Sequence, residues 1–250
     1  MSALSLMLLT EDSAQDAHGT VKALLIKMLK QVQPGLPTHR LSIDPPEDRV
    51  ALMMHANRWR GRLDRTSPGR KQPGDDQAWR TFCNTVATEL IQGHFVVVHI
   101  DADQTWSRRA ESKALADWRR TVVEQVRVLI ASKRPADQVA ALMSRLLVLV
   151  PHYSIEAWTY QHTTEAERQC CGRHLHIIRA WTDDRGALDE VHQPKDHICL
   201  GNRHNLALAG PGYPADAVLS AGKSWAAAVE NLRACSALVE ALQSLTAARA

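Results

Sequence analysis

Acidic side chains follow three apolar segments of this sequence, and their placement suggests a metal-binding site. Each segment reads as a buried strand, and the acids come at or just beyond its end. They are Glu11 and Asp12 after "ALSLMLLT", Asp101 and Asp103 after "FVVVHI", and Glu156 after "LLVLVP". Because the carboxyl ends of parallel strands meet at one edge of a sheet, we expect these side chains to lie close together. Clustered carboxylates repel unless a cation lies among them, and hard oxygen ligands suit Mg²⁺ or Mn²⁺. Such a site can hold a phosphodiester and activate water.

The second segment carries a further spacing signal. Asp101 and Asp103 are two residues apart, so on an extended backbone both side chains point the same way. The alternative for a single acid after a strand is a turn or the N-cap of the next helix, and Asp12 fits that alternative. The repetition at three strand ends favours one shared site over three separate turns.

Two clusters of basic residues accompany the acids. The first lies in "NRWRGRLDRTSPGRK" and consists of Arg58, Trp59, Arg60, Arg62, Arg65, Arg70 and Lys71. The second follows the aspartate pair and begins with Arg108 and Arg109. Arginines contact phosphates and an interleaved aromatic ring stacks on bases, so these clusters predict nucleic-acid binding. The alternatives are a solvated loop for the first cluster and ordinary helix surface charge for the second.

Cysteine and histidine are concentrated between residues 170 and 204. The segments "CCGRHLH" and "HICLGNRH" could each supply two zinc ligands, from a set that includes Cys170, Cys171, His174, His176, His197 and Cys199. Neither segment has the paired spacing of a zinc finger, so buried thiols and polar loop histidines are the preferred interpretation. His99, His152 and His204 could instead line the acidic edge, although His99 lies within a strand and fits a core position.

The elements that must position these residues alternate along the chain. Apolar segments at 3–10, 38–44, 95–100 and 146–151 read as strands, and helical patterns cover 13–33, 47–57, 77–92, 110–133 and 136–146. A long amphipathic helix or helical pair comes last. Strands that are apolar throughout and separated by helices predict an α/β fold with a parallel or mixed sheet. We expect one domain over 1–250, with a basic loop insertion at 57–76 and a mostly helical elaboration at 161–250.

Composition and charge exclude several classes of protein. The 250 residues are 45% hydrophobic, enough for one sizeable core, and their net charge is +3. Five irregularly spaced cysteines argue against a secreted disulfide framework. The first residues lack the features of a signal peptide, and no apolar run reaches the roughly 18 residues of a membrane span. We therefore expect a cytoplasmic protein without a membrane partner.

The order of the motifs resembles the TOPRIM domain of topoisomerases, bacterial primases and OLD-family nucleases. The resemblance consists of a strand ending at Glu11, then a helix, then a later strand ending in the pair Asp101 and Asp103. The segment "SIEAW", with Glu156 and Trp158, is similar to one in small stand-alone TOPRIM-like proteins of bacteria. The resemblance reaches from Glu11 to about residue 245 and implies a TOPRIM-like fold.

The resemblance also implies chemistry: cutting or rejoining of nucleic-acid phosphodiesters with Mg²⁺ or Mn²⁺. Lys223 would match a late lysine that stabilises developing phosphate charge. The sequence departs from the family pattern after the first glutamate, where Asp12 replaces a common glycine. The other implied roles are general acid/base or metal ligand for Glu11, metal binding for Asp101 and Asp103, and a further ligand position for Glu156.

These observations predict a metal-dependent nuclease acting on DNA or RNA, and the resemblance extends to effectors of bacterial defence against phage or plasmids. The sequence contains no Walker A phosphate-binding loop, so an ATP-driven system would need a separate ATPase subunit. Two alternatives stay open: a non-catalytic nucleic-acid-binding or regulatory subunit, and an unrelated α/β phosphotransferase. The sequence does not predict strandedness, sequence specificity or oligomeric state.

Overall fold

The computed structural model describes residues 3–11, 15–44 and 75–247, and these form a four-stranded parallel sheet flanked by helices. The strands are β1 Leu4–Leu9, β2 Leu41–Asp44, β3 Phe95–His99 and β4 Leu146–Leu149. Their order is β2-β1-β3-β4, and each neighbouring pair is parallel. The predicted α/β fold is confirmed. The expected helix at 47–57 lies outside the described residues, as does the basic loop insertion up to residue 74.

The α-helices of the described residues complete the architecture. In chain order they are α1 Gln15–Val32, α2 Asp75–Ile91, α3 Lys113–Trp118, α4 Glu124–Ala131, α5 Ala136–Met143, α6 Glu156–Thr159, α7 Thr163–Gln169, α8 Leu175–Asp183, α9 Asn205–Leu208, α10 Ala215–Ala221, α11 Lys223–Ala234 and α12 Ser236–Ala247. A π-helical segment, Arg119–Val123, joins α3 to α4, and 3-10 segments include Trp106–Glu111 and Arg185–Glu190. None of these helices combines the length and apolar character needed to cross a membrane.

Strand β3 shows why helices must cover the sheet on both faces. Val96, Val97 and Val98 are completely buried, and their β-branched side chains suit the pleated backbone. Successive side chains of a strand point to opposite faces, so an uninterrupted apolar strand needs cover on both. The connections between the parallel strands supply that cover, because each must cross the sheet to start the next strand.

One face of the sheet is covered by α1, α11 and α12. Leu6 and Leu8 of β1 and Val97 of β3 lie in one apolar cluster with helix residues such as Leu24 and Trp225. Burying a side chain of this size contributes about 1.5–3 kcal/mol, so α1 is held mainly by this packing. Its buried positions recur at helical spacing: Val21, Leu24, Leu25, Met28 and Leu29.

The other face is covered by α2 and by the helical segment from α3 to α5. Met7 of β1 and Val96 and Val98 of β3 lie in a second cluster that includes Phe82 and Trp118. The rings of Phe82 and Trp118 meet edge to face, with centroids 6.4 Å apart. Consequently α1 and α2, which flank β2 in the sequence, lie on opposite faces of the sheet.

A smaller apolar cluster occupies the segment between α6 and α9. The rings of Tyr160 and Trp181 stack with centroids 6.0 Å apart, and the Tyr160 hydroxyl donates to the Leu200 carbonyl at 2.9 Å. Tyr160 directly follows α6, and Trp158 on α6 belongs to the main core, so α6 connects this small cluster to the sheet. The buried members of the cluster are Tyr160, Ala166, Ile178, Trp181, Leu188, Ile198, Leu200 and Leu208.

Candidate functional site

The carboxyl ends of β1 and β3 meet where the strand order changes direction. From β1 the chain moves outward to β2, then returns past β1 to form β3 on its other side. In open parallel sheets, ligands usually bind at the carboxyl edge beside such a reversal. Glu11 lies two residues beyond the end of β1, and Asp101 lies two residues beyond the end of β3. Both acids therefore reach this edge.

Glu11 and Asp101 are in direct contact across the two strands. The backbone N–H of Asp101 donates to Glu11 Oε2 at 2.6 Å. The two residues are 90 positions apart in the sequence, so only the pairing of β1 with β3 brings them together. This bond fixes the Glu11 carboxylate beside the first residues beyond β3, which is where the sequence pattern placed a shared site.

His99, the last residue of β3, adds an imidazole to this edge. It is 3% exposed, and its Nε2 lies 3.3 Å from Asp101 Oδ1. Neither ring nitrogen makes a well-aligned hydrogen bond with the described residues. The contact with Asp101 is therefore electrostatic, and it is attractive when His99 is protonated. His99 is buried as a core position would be, but it also touches the acidic edge.

The extended backbone expected at Asp103 is absent. That expectation assumed extended backbone through Asp103, but Asp103 has φ +53° and its side chain is exposed. The cause is a turn shared with the segment after β4, because Asp103 N–H donates to the Tyr153 carbonyl and Tyr153 N–H donates to the Gln104 carbonyl. Tyr153 also has φ +53°. Non-glycine residues in this region are strained and recur at functional sites.

A histidine and a tryptophan border the same loop. His152 is buried, and its Nδ1 lies 3.2 Å from the Gln104 carbonyl, to which it donates. Burial lowers the pKa of His152, so the neutral ring is favoured, and the lone pair then resides on Nε2. The ring meets Trp106 edge to face at 5.0 Å. The exposed Arg109 guanidinium lies 4.2 Å from the centre of the Trp106 ring, while Arg108 lies 3.2 Å from Glu111.

Glu156 occupies a buried polar network. It is 3% exposed; Ser154 Oγ donates to its Oε2 at 2.6 Å, and Asn205 Nδ2 donates to its Oε1 at 2.8 Å. Thr159 Oγ1 in turn donates to Asn205 Oδ1. Each carboxylate oxygen thus has a protein donor. The pattern after β4 predicted a ligand at the sheet edge, whereas the structure shows a side chain that ties α6 to α9.

Lys223 begins α11 and contacts the 3-10 segment at Arg185–Glu190. Its Nζ donates to the Gly186 carbonyl at 2.7 Å and to Glu190 Oε1 at 3.1 Å. Glu190 Oε2 accepts from the backbone N–H of Ser107 at 3.1 Å. Glu190 therefore connects Lys223 to the segment that follows the aspartates. Like Asp103, Lys223 has a positive φ, +55°.

Sequence reasoning did not identify Glu190 or Asn205. Glu190 joins Ser107 and Lys223 over separations of 83 and 33 residues, and Asn205 reaches Glu156 over 49. No local spacing encodes contacts of this range. In the sequence, Glu190 and Asn205 could be recognised as candidate site residues only by their residue type, because the hydrophobic periodicity around them is weak.

Among the described residues, a cluster of four potential metal ligands lies apart from the carboxylates. Cys170, Cys171, His174 and Cys199 each offer one ligand atom, and these atoms all lie within 4.8 Å of one another. Within residues 3–11, 15–44 and 75–247, the acids after the strands form no such group of three. His176 and His197, which sequence reasoning also considered, are exposed and lie outside the group.

Several predicted site residues lie outside the described part of the chain. Asp12 is among them, and so is the whole first basic cluster. The role of this basic cluster in nucleic-acid binding therefore stays a prediction. The residues concerned are Arg58, Trp59, Arg60, Arg62, Arg65, Arg70 and Lys71.

Comparison of this chain with protein-family models, curated proteins and solved structures finds no match in any of the three. The candidate site consequently rests on the geometry of its own residues.

Proposed function

We propose that the protein is a Mg²⁺- or Mn²⁺-dependent nuclease whose site lies at the carboxyl edge between β1 and β3. One observation carries this proposal: Glu11 and Asp101 meet there, with Glu11 Oε2 accepting a 2.6 Å hydrogen bond from Asp101 N–H. The strand order supports it, since ligands favour this edge of a parallel sheet.

The donor set fits a hard divalent cation in kind and number. Mg²⁺ in proteins is often held by one or two carboxylates, with substrate phosphates and water completing its coordination. Glu11 and Asp101 supply two carboxylates from neighbouring strands. When bound there, the cation would polarise a phosphodiester and lower the pKa of a bound water.

The segment after the aspartates suits a nucleic-acid substrate. Arg108 and Arg109 are exposed next to Trp106, which provides cationic groups and an aromatic face within one short segment. Guanidinium groups bind phosphates and aromatic rings stack on bases. These residues would hold the backbone of the substrate while Glu11 and Asp101 act at the scissile phosphate.

The motif order supports a TOPRIM-like variety of this function. In that setting we propose an effector of bacterial defence against phage or plasmids that acts beside a separate ATPase chain. Recovery of an ATPase with the tagged protein from its native host, retained under gentle washing, is the expected result. If no ATPase is recovered, the proposed ATPase partner is contradicted, whereas the proposed metal site between β1 and β3 is not.

Cleavage of supercoiled plasmid with Mg²⁺, Mn²⁺ or EDTA tests the nuclease. We expect metal-dependent nicking that Glu11→Gln and Asp101→Asn each reduce by on the order of 100-fold, as when electrostatic stabilisation of a transition state is lost. The matched controls are Glu124→Gln and Asp137→Asn, two exposed acids on α4 and α5. Circular dichroism confirms that each variant is folded. Cleavage that survives EDTA, or that both site variants retain, contradicts the proposal.

The hydrogen bonds of the Glu156 carboxylate favour a second candidate function, that of a non-catalytic subunit. Both of its oxygens are engaged by Ser154 and Asn205, which leaves the edge with fewer acids than the sequence pattern predicted. A non-catalytic nucleic-acid-binding or regulatory subunit needs no metal centre. Metal-independent binding of nucleic acid, without cleavage under any of the metal conditions, would establish this second function.

A further inference from the structure

We propose that Cys170, Cys171, His174 and Cys199 bind one structural Zn²⁺ ion that holds together the segment between α6 and α9. Three thiols and an imidazole converge here, and their four ligand atoms lie within 4.8 Å of one another. Four Cys and His ligands are the composition of closed structural zinc sites, and soft thiolates select zinc over Mg²⁺ or Mn²⁺. This inference is independent of the proposed nuclease site.

The backbone brings the four residues together from three places. Cys170 directly follows α7, and Cys171 comes next in the sequence. Gly172 has φ +86°, a conformation that favours glycine, and it turns the chain so that His174 can precede α8. Cys199 arrives from the loop 28 residues beyond Cys171, and the Cys171 N–H donates to its Sγ at 3.2 Å. Backbone donors to sulfur are typical of the outer shell of metal–thiolate sites.

His174 presents a nitrogen that lacks a partner. Its Nδ1 is buried and makes no hydrogen bond with any described residue. A buried polar atom without a partner costs about 1–3 kcal/mol, so its presence requires an explanation. Coordination of this nitrogen to a metal ion would satisfy it. His176, two residues further along, is exposed and stands outside the cluster.

The thiols are not joined to each other. All five cysteines are free, and Cys170 Sγ is in contact with Cys199 Sγ. A disulfide between these two would also leave Cys171 and His174 without a role in the cluster. One tetrahedral ion accounts for all four side chains.

The local fold has a reason to need a metal. The apolar cluster that contains Tyr160 and Trp181 is built on helices of four to nine residues and on 3-10 turns. Helices this short are marginal without further support. Ile198 and Leu200 are buried in that cluster on either side of Cys199. A metal ion would tie this loop to the end of α7 and the start of α8, and the free energy of metal binding would stabilise the folded segment.

Metal analysis of wild-type protein purified under reducing conditions tests the proposal. We expect about one zinc per chain, and X-ray absorption at the zinc edge should fit three sulfurs and one nitrogen. Replacement by Co²⁺ should give the thiolate charge-transfer and d–d bands of tetrahedral cobalt. These measurements need no variant and so do not depend on a mutant's folding.

Matched variants assign the ligands. In competition with a chromophoric chelator, Cys171→Ser and His174→Asn should each weaken Zn²⁺ binding by more than about tenfold. His176→Asn, an exposed neighbour, and Cys235→Ala, a buried cysteine elsewhere, should leave it unchanged.

Three results would overturn the zinc site. They are wild-type protein that neither contains zinc nor takes it up when reduced, a Cys170–Cys199 disulfide found without metal after alkylation during lysis, and ligand variants that bind Zn²⁺ as tightly as the two controls.

Discussion

At the scale of single residues, Asp189 is a buried carboxyl group with few polar contacts. It is 3% exposed and accepts hydrogen bonds from the side chain and backbone N–H of Ser224, whose Oγ in turn accepts from Trp158 Nε1. Burial raises the pKa of Asp189 to about 6, against an ordinary value of 3.8, and the Ser224 bonds only partly offset this. The carboxyl group is thus poised to titrate in mildly acidic solution.

This titration predicts a pH dependence of stability. Between pH values of about 4 and 6 the folded state binds the Asp189 proton more tightly than the unfolded state does. The stabilisation that protonated Asp189 contributes to the folded state therefore falls as the pH rises through that window. Lowering the pH from about 7 to about 4.5 should therefore raise the unfolding free energy of the wild type, relative to Asp189→Asn, by roughly 2 kcal/mol. Urea unfolding of both proteins at several pH values measures the difference.

A control for this prediction is Asp183→Asn, which replaces an exposed aspartate at the end of α8. The prediction requires its difference from the wild type to change less over the same pH range than that of Asp189→Asn. If the difference in unfolding free energy between wild type and Asp189→Asn does not change with pH, or if acidification favours the variant, the fold does not raise the pKa of Asp189. Either result would contradict the prediction.

Residue-level prediction from the sequence succeeded where contacts follow from strand ends and failed where they depend on loops. Glu11 and Asp101 were expected to meet, and they do, because both follow strands that are neighbours in the sheet. Glu156 was expected as a further ligand, but its oxygens accept hydrogen bonds from Ser154 and Asn205, and it forms no close group of three with the other two acids. Asp103 was expected on extended backbone but has φ +53°, and an Asp-x-Asp spacing does not predict a left-handed backbone conformation.

At the scale of elements, the end of α2 depends on a glycine. Gly93 has φ +85°; its N–H donates to the Leu90 carbonyl and the next N–H, that of His94, donates to the Glu89 carbonyl. This is the pattern of a left-handed helix C-terminus, which glycine adopts without strain. The turn feeds directly into β3, so it helps to set where the central apolar strand begins.

Gly93→Ala should lower the unfolding free energy by about 1–2 kcal/mol, the penalty for a side chain in the left-handed region. A Cβ here would also lie 3.3 Å from Arg145 Nη1, and the Arg145 guanidinium donates to the Gly93 carbonyl. Thermal or urea unfolding measures the change. The matched control is Gly201→Ala, where φ is −130° and a Cβ would meet open space. Equal effects of the two substitutions would contradict this account of the α2 terminus.

Element-level prediction was accurate where hydrophobic periodicity is strong. The predicted strands at 3–10, 95–100 and 146–151 correspond to β1, β3 and β4, and the helical pattern at 13–33 corresponds to α1. The segment from 161 to 222 was hardest to interpret because its helices are short and are organised around a small cluster. Spacing alone gave no reason to prefer zinc ligands there; the convergence of Cys170 and Cys171 with Cys199 appears only in three dimensions.

At the scale of the whole molecule, the candidate site is a consequence of strand order. Apolar runs predict strands, but not which strands are neighbours, since any order would bury the same side chains. The observed order β2-β1-β3-β4 places β1 beside β3 and puts α1 and α2 on opposite faces. That order alone brings Glu11 to Asp101. With β2 between the two strands, the same residues would be too far apart to share a ligand.

Mn²⁺ binding measured by electron paramagnetic resonance tests the central claim most directly, because it reports on the carboxylate edge without requiring a substrate. Thiolate sites discriminate against Mn²⁺, so the cysteine cluster should not contribute to the signal. The account predicts a Mn²⁺ site in the wild type that is weakened by at least about tenfold in Glu11→Gln and in Asp101→Asn, and retained in Glu124→Gln. Mn²⁺ binding that is absent from the wild type, or equally strong in both site variants, would contradict a metal site between β1 and β3.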